Sequence, residues 1–310
     1  MMPKVLRIYA KHAAFILVAG LLDSQLSAQD KPARPSITGI DHVRLYVADT
    51  GKASEFYSKY LGLPANAPGS CSSAPSPCFL VNPSQQIELQ RAPSPVPKNW
   101  LAAVAYATDD VQQMRRYLLA NKIKAGPIRK DANGARHFEL RDPEGNSLAF
   151  IQRAELSRDW ATFTKQVGTQ LIHAGFVVKD MVAENRFYLG LLGFRLYWHG
   201  GFKDDGLDWY EIQVPDGSDW IEYMLNIPAT ADRKELGVQN HFSLGVKDIH
   251  DAADQLHKNG LQEFDGPEIG RDGKWGLDAY DPDGTRVEFM EPTPAREPCC
   301  HAYTAPHPQL

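Results

Sequence analysis

His173-Ala-Gly-Phe-Val-Val-Lys-Asp180 and His241-Phe-Ser-Leu-Gly-Val-Lys-Asp248 carry the repeat that decides the fold. Each opens on a histidine, runs apolar for a strand's length and closes on an aspartate. That residue suits a helix N-cap, because its side chain accepts from backbone N–H groups that the first turn leaves unpaired. His42-Val-Arg-Leu-Tyr-Val-Ala-Asp49 and Ala103-Val-Ala-Tyr-Ala-Thr-Asp-Asp110 have the same length and the same ending. Helical spacing follows each aspartate. Val182, Ala183, Phe187, Leu191 and Leu192 form one apolar face before Gly193, and Ile249, Ala252, Ala253 and Leu256 another before Gly260. Short β-rich pairs come next, separated by turn signals such as Asp142-Pro-Glu-Gly145 and Asp281-Pro-Asp-Gly284. The predicted unit is βαβββ. Four units give an α+β fold of two tandem domains, 37–153 and 169–292, joined by a linker at 154–168 and followed by a Pro-rich tail at 293–310.

Composition agrees with this division, since 310 residues exceed one ordinary domain. A hydrophobic fraction of 43% with 23% charged residues excludes disordered, collagen-like and multi-span membrane chains. A net charge of -5 without a Lys/Arg block excludes the electrostatic footprint of a nucleic-acid binder. Lys4, Arg7 and Lys11 precede an apolar run from Ala13 to Leu22, and Ser24, Ser27 and Ala28 then supply small residues for cleavage. Residues 1–28 read as a signal peptide, and ten apolar residues are too few to span a bilayer. The mature chain is expected to be periplasmic or secreted, with no membrane contact after cleavage, and a homodimer stays open. Export puts the cysteines in an oxidising compartment. Cys71 and Cys78 can close a short bridge, whereas Cys299 and Cys300 fall in a tail expected to be loose.

The chemistry rests on polar residues set in apolar strands. Ile172, Ala174, Phe176 and Val178 alternate toward the helices, which sends His173 to the opposite face; in the fourth unit Phe242, Leu244 and Val246 do the same for His241. Glu222 in Trp220-Ile-Glu-Tyr-Met224 and Glu288 in Arg286-Val-Glu-Phe-Met290 are carboxylates in runs where burial is costly without compensation. Taken singly, each histidine reads most simply as a hydrogen-bonded strand residue and each glutamate as a solvent-facing one. The same imidazole and carboxylate at the same internal positions of two consecutive units point instead to one site. His173, Glu222, His241 and Glu288 would offer a single divalent ion two nitrogens and two oxygens, a set suited to Zn, Ni, Co, Mn or Fe with positions left for water or substrate.

Tandem βαβββ units, the Phe187-Tyr188 pair before Leu191-Leu-Gly-Phe194, the Asp281-Pro-Asp-Gly284 turn before Glu288 and the His/Glu/His/Glu order resemble the vicinal oxygen chelate (VOC) superfamily. That superfamily includes glyoxalases, bleomycin-resistance proteins and extradiol dioxygenases. The N-terminal half departs from the pattern: His42 and Glu88 match ligand positions, but Ala103 and Ala149 stand where the second unit would need histidine and glutamate. The resemblance implies a metal site from units three and four; pairing units one and four would give the rival set His42, Glu88, His241 and Glu288. It also implies glyoxalase-like proton transfer on a small oxygenated carbonyl substrate, with Glu222 or Glu288 as general base. The alternatives are ring-opening oxygenation on Fe(II) held by His173, His241 and Glu288, and sequestration of a drug or metabolite without turnover. Trp209, Tyr210, Trp220, Tyr223 and Trp275 are candidate cup-lining aromatics, with a place in the core as their plainer reading.

Overall fold

A computed structural model of the chain describes residues 32–65, 76–131, 133–153 and 164–310. The leader at 1–28, Cys71 and most of the linker lie outside the described residues. The first domain is a seven-stranded sheet of β1 (Ile37–Val47), β2 (Cys78–Leu80), β3 (Gln86–Arg91), β4 (Leu101–Thr108), β5 (Arg129–Lys130), β6 (Arg136–Arg141) and β7 (Ser147–Gln152). Its spatial order is β2-β3-β1-β4-β7-β6-β5. The second is eight-stranded, with β8 (Gln170–Val177), β9 (Arg195–Gly200), β10 (Trp209–Gln213), β11 (Trp220–Met224), β12 (His241–Gly245), β13 (Asp265–Ile269), β14 (Trp275–Tyr280) and β15 (Arg286–Met290). They run in the order β13-β14-β15-β12-β8-β11-β10-β9. In each sheet the first strands of two consecutive units meet antiparallel at the centre, and each is flanked on its outer side by the last strand of its own unit, running parallel. The α+β architecture of two tandem domains is therefore the one the repeats predict.

All four aspartates cap helices. Asp49, Asp110, Asp180 and Asp248 accept from backbone N–H groups of α1 (Thr50–Glu55), α2 (Val111–Ala120), α3 (Met181–Asn185) and α5 (Ile249–Asn259) respectively. An additional helix, α4 (Arg233–Gln239), caps on Asp232 between the third and fourth units. Among the described residues no helix is long and apolar enough to cross a membrane.

Three sequence expectations need correction. Val182, assigned to an apolar face, is 62% exposed, while Glu184 is buried. The cause is that α3 lasts five residues before widening into a π-helical turn at Arg186–Leu191, which resets the phase of the burial pattern. Ile172 packs with Tyr197, Trp220 and Met290, away from the main core that takes Leu171, Ala174 and Phe176. A break in register opposite Ser243 and Leu244 places Ile172 and His173 on one face, as a bulge does. Tyr303 and Ala305 of the tail cover that small cluster. The tail is accordingly packed: the Thr304 N–H donates to the Tyr197 carbonyl over 3.0 Å, and the Gln213 amide donates to the Pro306 carbonyl over 2.8 Å.

Reciprocal latches join the domains. The Tyr57 hydroxyl, from the first unit's Phe-Tyr pair, donates to Asp281 in the fourth unit's turn over 3.1 Å; Tyr188, in the third unit, reaches Asp142 in the second over 3.4 Å. Behind them the Ala48 N–H donates to Asp283, and the N–H groups of Lys179 and Asp180 donate to Glu144. The second latch also buries Glu184, which accepts from the Glu144 N–H with Oε1 and leaves Oε2 without a partner. Burial, with Asp142 alongside, raises the Glu184 pKa to about 8, and burial lifts Asp142 itself to about 6. Folded pKa values above the unfolded ones mean that these groups stabilise the fold below about pH 4 and lose that contribution as pH rises toward 8. Glu184→Gln removes the ionisable group. It should raise Tm by about 2–4 °C at pH 9, corresponding to roughly 1 kcal/mol, and leave Tm unchanged at pH 5; calorimetry at the two pH values checks this.

Candidate metal centre

The central seam of the second sheet determines which side chains meet. Because β8 and β12 run antiparallel with β11 and β15 parallel outside them, Glu222 lies beside Gly175 and Glu288 beside Ser243, which itself faces His173. His241 pairs with Gly175, and a Cβ on that glycine would fall 2.1 Å from the imidazole Cε1. The ring therefore rests on bare backbone, and only glycine leaves room for it.

All four predicted residues converge. His173 Nε2 lies 3.1 Å from His241 Nε2 and 3.0 Å from Glu288 Oε2. His241 Nε2 lies 3.3 Å from Glu222 Oε2 and 3.8 Å from Glu288 Oε2. The donor atoms of His173, Glu222 and His241 all lie within 4.8 Å of one another and could hold a divalent ion, and Glu288 adjoins them through His173. The buried His173 Nδ1 makes no hydrogen bond, and Nε2 is the nitrogen turned to the other donors. Both histidines are buried, and the two carboxylates face a cavity of about 330 Å³.

Protonation states suit ligation. Burial, then the Arg286 guanidinium, lowers the His241 pKa to about 4 despite Glu222 pulling it up, which leaves a neutral imidazole at physiological pH. For Glu288 burial acts upward but is outweighed by the hydrogen bond and charge of His173 and by Arg286, and the pKa falls to about 2. Glu222 is lowered in the same way, with His241 outweighing burial. Arg286 Nη2 lies 2.8 Å from His241 Nε2, and Nη1 lies 3.4 Å from Asp278. A cation on the four donors requires the guanidinium to yield toward Asp278.

Further acids surround the ligands. Glu211 stands directly across from Glu222, and Asp278 directly across from Glu288. Burial raises Glu211 well above the carboxylate range, against the pull of Lys274, and raises Asp278 to about 6. Lys274 is buried 3.6 Å from Asp272, within a cage of Trp220, Tyr197 and Tyr303 rings. Glu211 was legible by the signal that marks Glu222, an acid inside Trp209-Tyr-Glu-Ile-Gln213; Lys274 has no such signal. Of the five candidate aromatics only Trp209 lines the cavity, joined by Trp198 and Phe202. Tyr223 belongs to the main core and Tyr210 and Trp275 pack against it, while Trp220 lies beneath the His173 ring.

The N-terminal cup inverts this arrangement. Ala103 occupies the register position of His241, and its partner, where the other domain has Gly175, is Arg44. The guanidinium reaches Glu88 and Glu139, each over 3.2 Å. His42 is held by Asp41 over 2.7 Å and lies 3.7 Å from Glu88, in a different sheet from His241 and Glu288. The rival grouping of units one and four is thus not assembled.

Comparison with solved structures places the chain beside homoprotocatechuate 2,3-dioxygenase from Brevibacterium fuscum. A single-site variant of that enzyme shows 20% identity and a TM-score of 0.63 over 84% of this chain and 72% of that one. Its complex with 3,4-dihydroxyphenylacetate gives 19%, 0.60, 84% and 82%. A room-temperature structure of an extradiol ring-cleaving dioxygenase from B. fuscum gives 20%, 0.63, 84% and 73%. At these identities the likeness concerns the fold. No curated protein sequence matches the chain. The family model described as Glyoxalase/Bleomycin resistance protein/Dioxygenase superfamily matches residues 39–150 and 170–289, one segment in each domain, and the chain belongs to that superfamily.

Proposed function

We propose that the C-terminal domain is a divalent-metal-dependent enzyme of glyoxalase type, moving a proton next to the carbonyl of a small oxygenated substrate. The meeting of His173, Glu222, His241 and Glu288, with the two carboxylates on the wall of one cavity, carries this reading. A divalent ion held there supplies Lewis-acid polarisation of substrate oxygens. The side chains do the rest. His173 and His241 hold the centre from buried positions, Glu222 or Glu288 takes the proton, and Trp198, Phe202 and Trp209 form the apolar wall against the substrate. The Lys4–Leu22 pattern supports export, which favours a substrate other than a cytosolic glutathione adduct.

Ring-opening oxygenation is the second reading, favoured by the likeness to extradiol dioxygenases. Against it, the described residues lining the cavity include no tyrosine and no histidine free to pass protons to an oxygenated ring, and Glu222 is a surplus ligand.

Elemental analysis tests the metal first. His241→Ala should lower bound divalent ion at least tenfold, whereas His42→Ala should leave it unchanged; the reverse order would transfer the site to the other domain. With the metal-loaded protein and dihydroxyacetone in D₂O, deuterium should enter the position beside the carbonyl. Glu222→Gln or Glu288→Gln, whichever removes the base, should slow that exchange by about 10²–10⁴-fold. Oxygen consumption with catechols would favour ring cleavage instead, and tight binding without exchange or oxygen uptake would mark a sequestering protein.

A further inference from the structure

The tail carries an adjacent cysteine pair, Cys299 and Cys300, joined as a vicinal disulfide. Three observations connect this bridge to the cavity. First, the Cys299 N–H donates to the Arg271 carbonyl over 2.8 Å, and the Arg271 guanidinium lies 3.8 Å from Cys300 Sγ. Arg271 lines the cavity and reaches across its mouth to Asp204 and the Gly201 carbonyl, beside the exposed Phe202. Second, the tail braces the loop that carries Arg271, Asp272 and Lys274. The Ala295 and Arg296 N–H groups donate to the Gly273 carbonyl, and Tyr303 donates to Asp272 while closing the cage over Lys274. Third, Cys300 has a φ of 71°, a left-handed conformation that a residue other than glycine keeps only when its surroundings hold it. Both cysteines are partly exposed, within reach of a small reductant.

We propose that Cys299–Cys300 is a redox-active site whose state sets the rigidity of the cavity mouth. A dithiol reductant passes two electrons and two protons to the bridge. The S–S bond breaks, two S–H bonds form, and the reductant leaves as its own disulfide. Cys300 is then free to leave its left-handed conformation. The backbone contact to Arg271 and the brace on Gly273 slacken with it, and the Gly270–Lys274 loop loses its clamp. Exchange with a small-molecule disulfide, which leaves as two thiols, re-forms the S–S bond and restores the clamp. The switch stands whatever reaction the cavity supports.

Hydrogen exchange on the full mature chain, with and without dithiothreitol, tests this without a substrate. Reduction should speed exchange in peptides covering Gly270–Lys274 and the tail at least tenfold. The double variant Cys299→Ser/Cys300→Ser should show the fast exchange from the start and not respond to reductant. Cys78 is also disulfide-bonded, so the reductant is titrated and alkylation is followed by mass. Loss of protection should follow labelling of Cys299 and Cys300. Protection that is unchanged by reduction, that follows labelling of Cys78, or that still responds in the double variant would overturn the proposal, as would free thiols at 299 and 300 in the untreated protein.

Discussion

Carboxylates packed into one half-buried cup cannot all be ionised unless positive charge is brought among them. Glu211, Glu222, Asp272, Asp278 and Glu288 all line the same cavity, against Arg271, Lys274 and Arg286 as its basic residues. Like charges directly across a strand pair repel, and the protein resolves this by dividing roles. Glu222 and Glu288 stay ionised beside the imidazoles, while burial drives Glu211 toward the protonated form and Asp278 pairs with Arg286. Lys274 and Arg286 neutralise part of what is left. The acids lining the cup still outnumber its basic residues, which gives the cup its capacity for a cation.

The two domains show alternative answers to that constraint on one backbone. In the first, a guanidinium built into the chain takes the place of an exchangeable cation, with Arg44 opposite Ala103. In the second, the bulk moves across the register pair, with His241 over Gly175. An arginine satisfies carboxylates permanently but offers no open coordination position, so this exchange, together with Ala149 in place of a glutamate, separates a scaffold from a candidate reactive centre.

The architecture was legible because its determinants are local. Aspartate caps, period-2 alternation and Asp-Pro turns each act within a few residues, and the fourfold recurrence of the capped strand, with the turn in two of the units, separates signal from coincidence. The meeting of His173 and His241 was legible for the same reason, since they recur at equal distances from their caps. Other features depend on through-space events. The π-helical turn after α3 that buries Glu184, the register break that turns Ile172 toward Trp220, and the cage around Lys274 arise when separate segments pack, and nothing in their local sequence announces them. The tail looked loose from its prolines, yet it covers an apolar cluster that would otherwise face water.

The crossed tyrosine–aspartate latches have a consequence for how such a molecule could have arisen and how it can be dissected. Each half presents a hydroxyl to, and receives one from, the other, so the halves are mutual templates and neither is a self-contained part. An ancestral single-domain chain could have met the same requirement by pairing with an identical copy, and fusion would then have freed one cup to lose its ligands while its partner kept them. Excising the C-terminal half would strand Asp281 beside an empty tyrosine socket, and any change of behaviour in such a fragment would report on missing buttressing before it reported on chemistry.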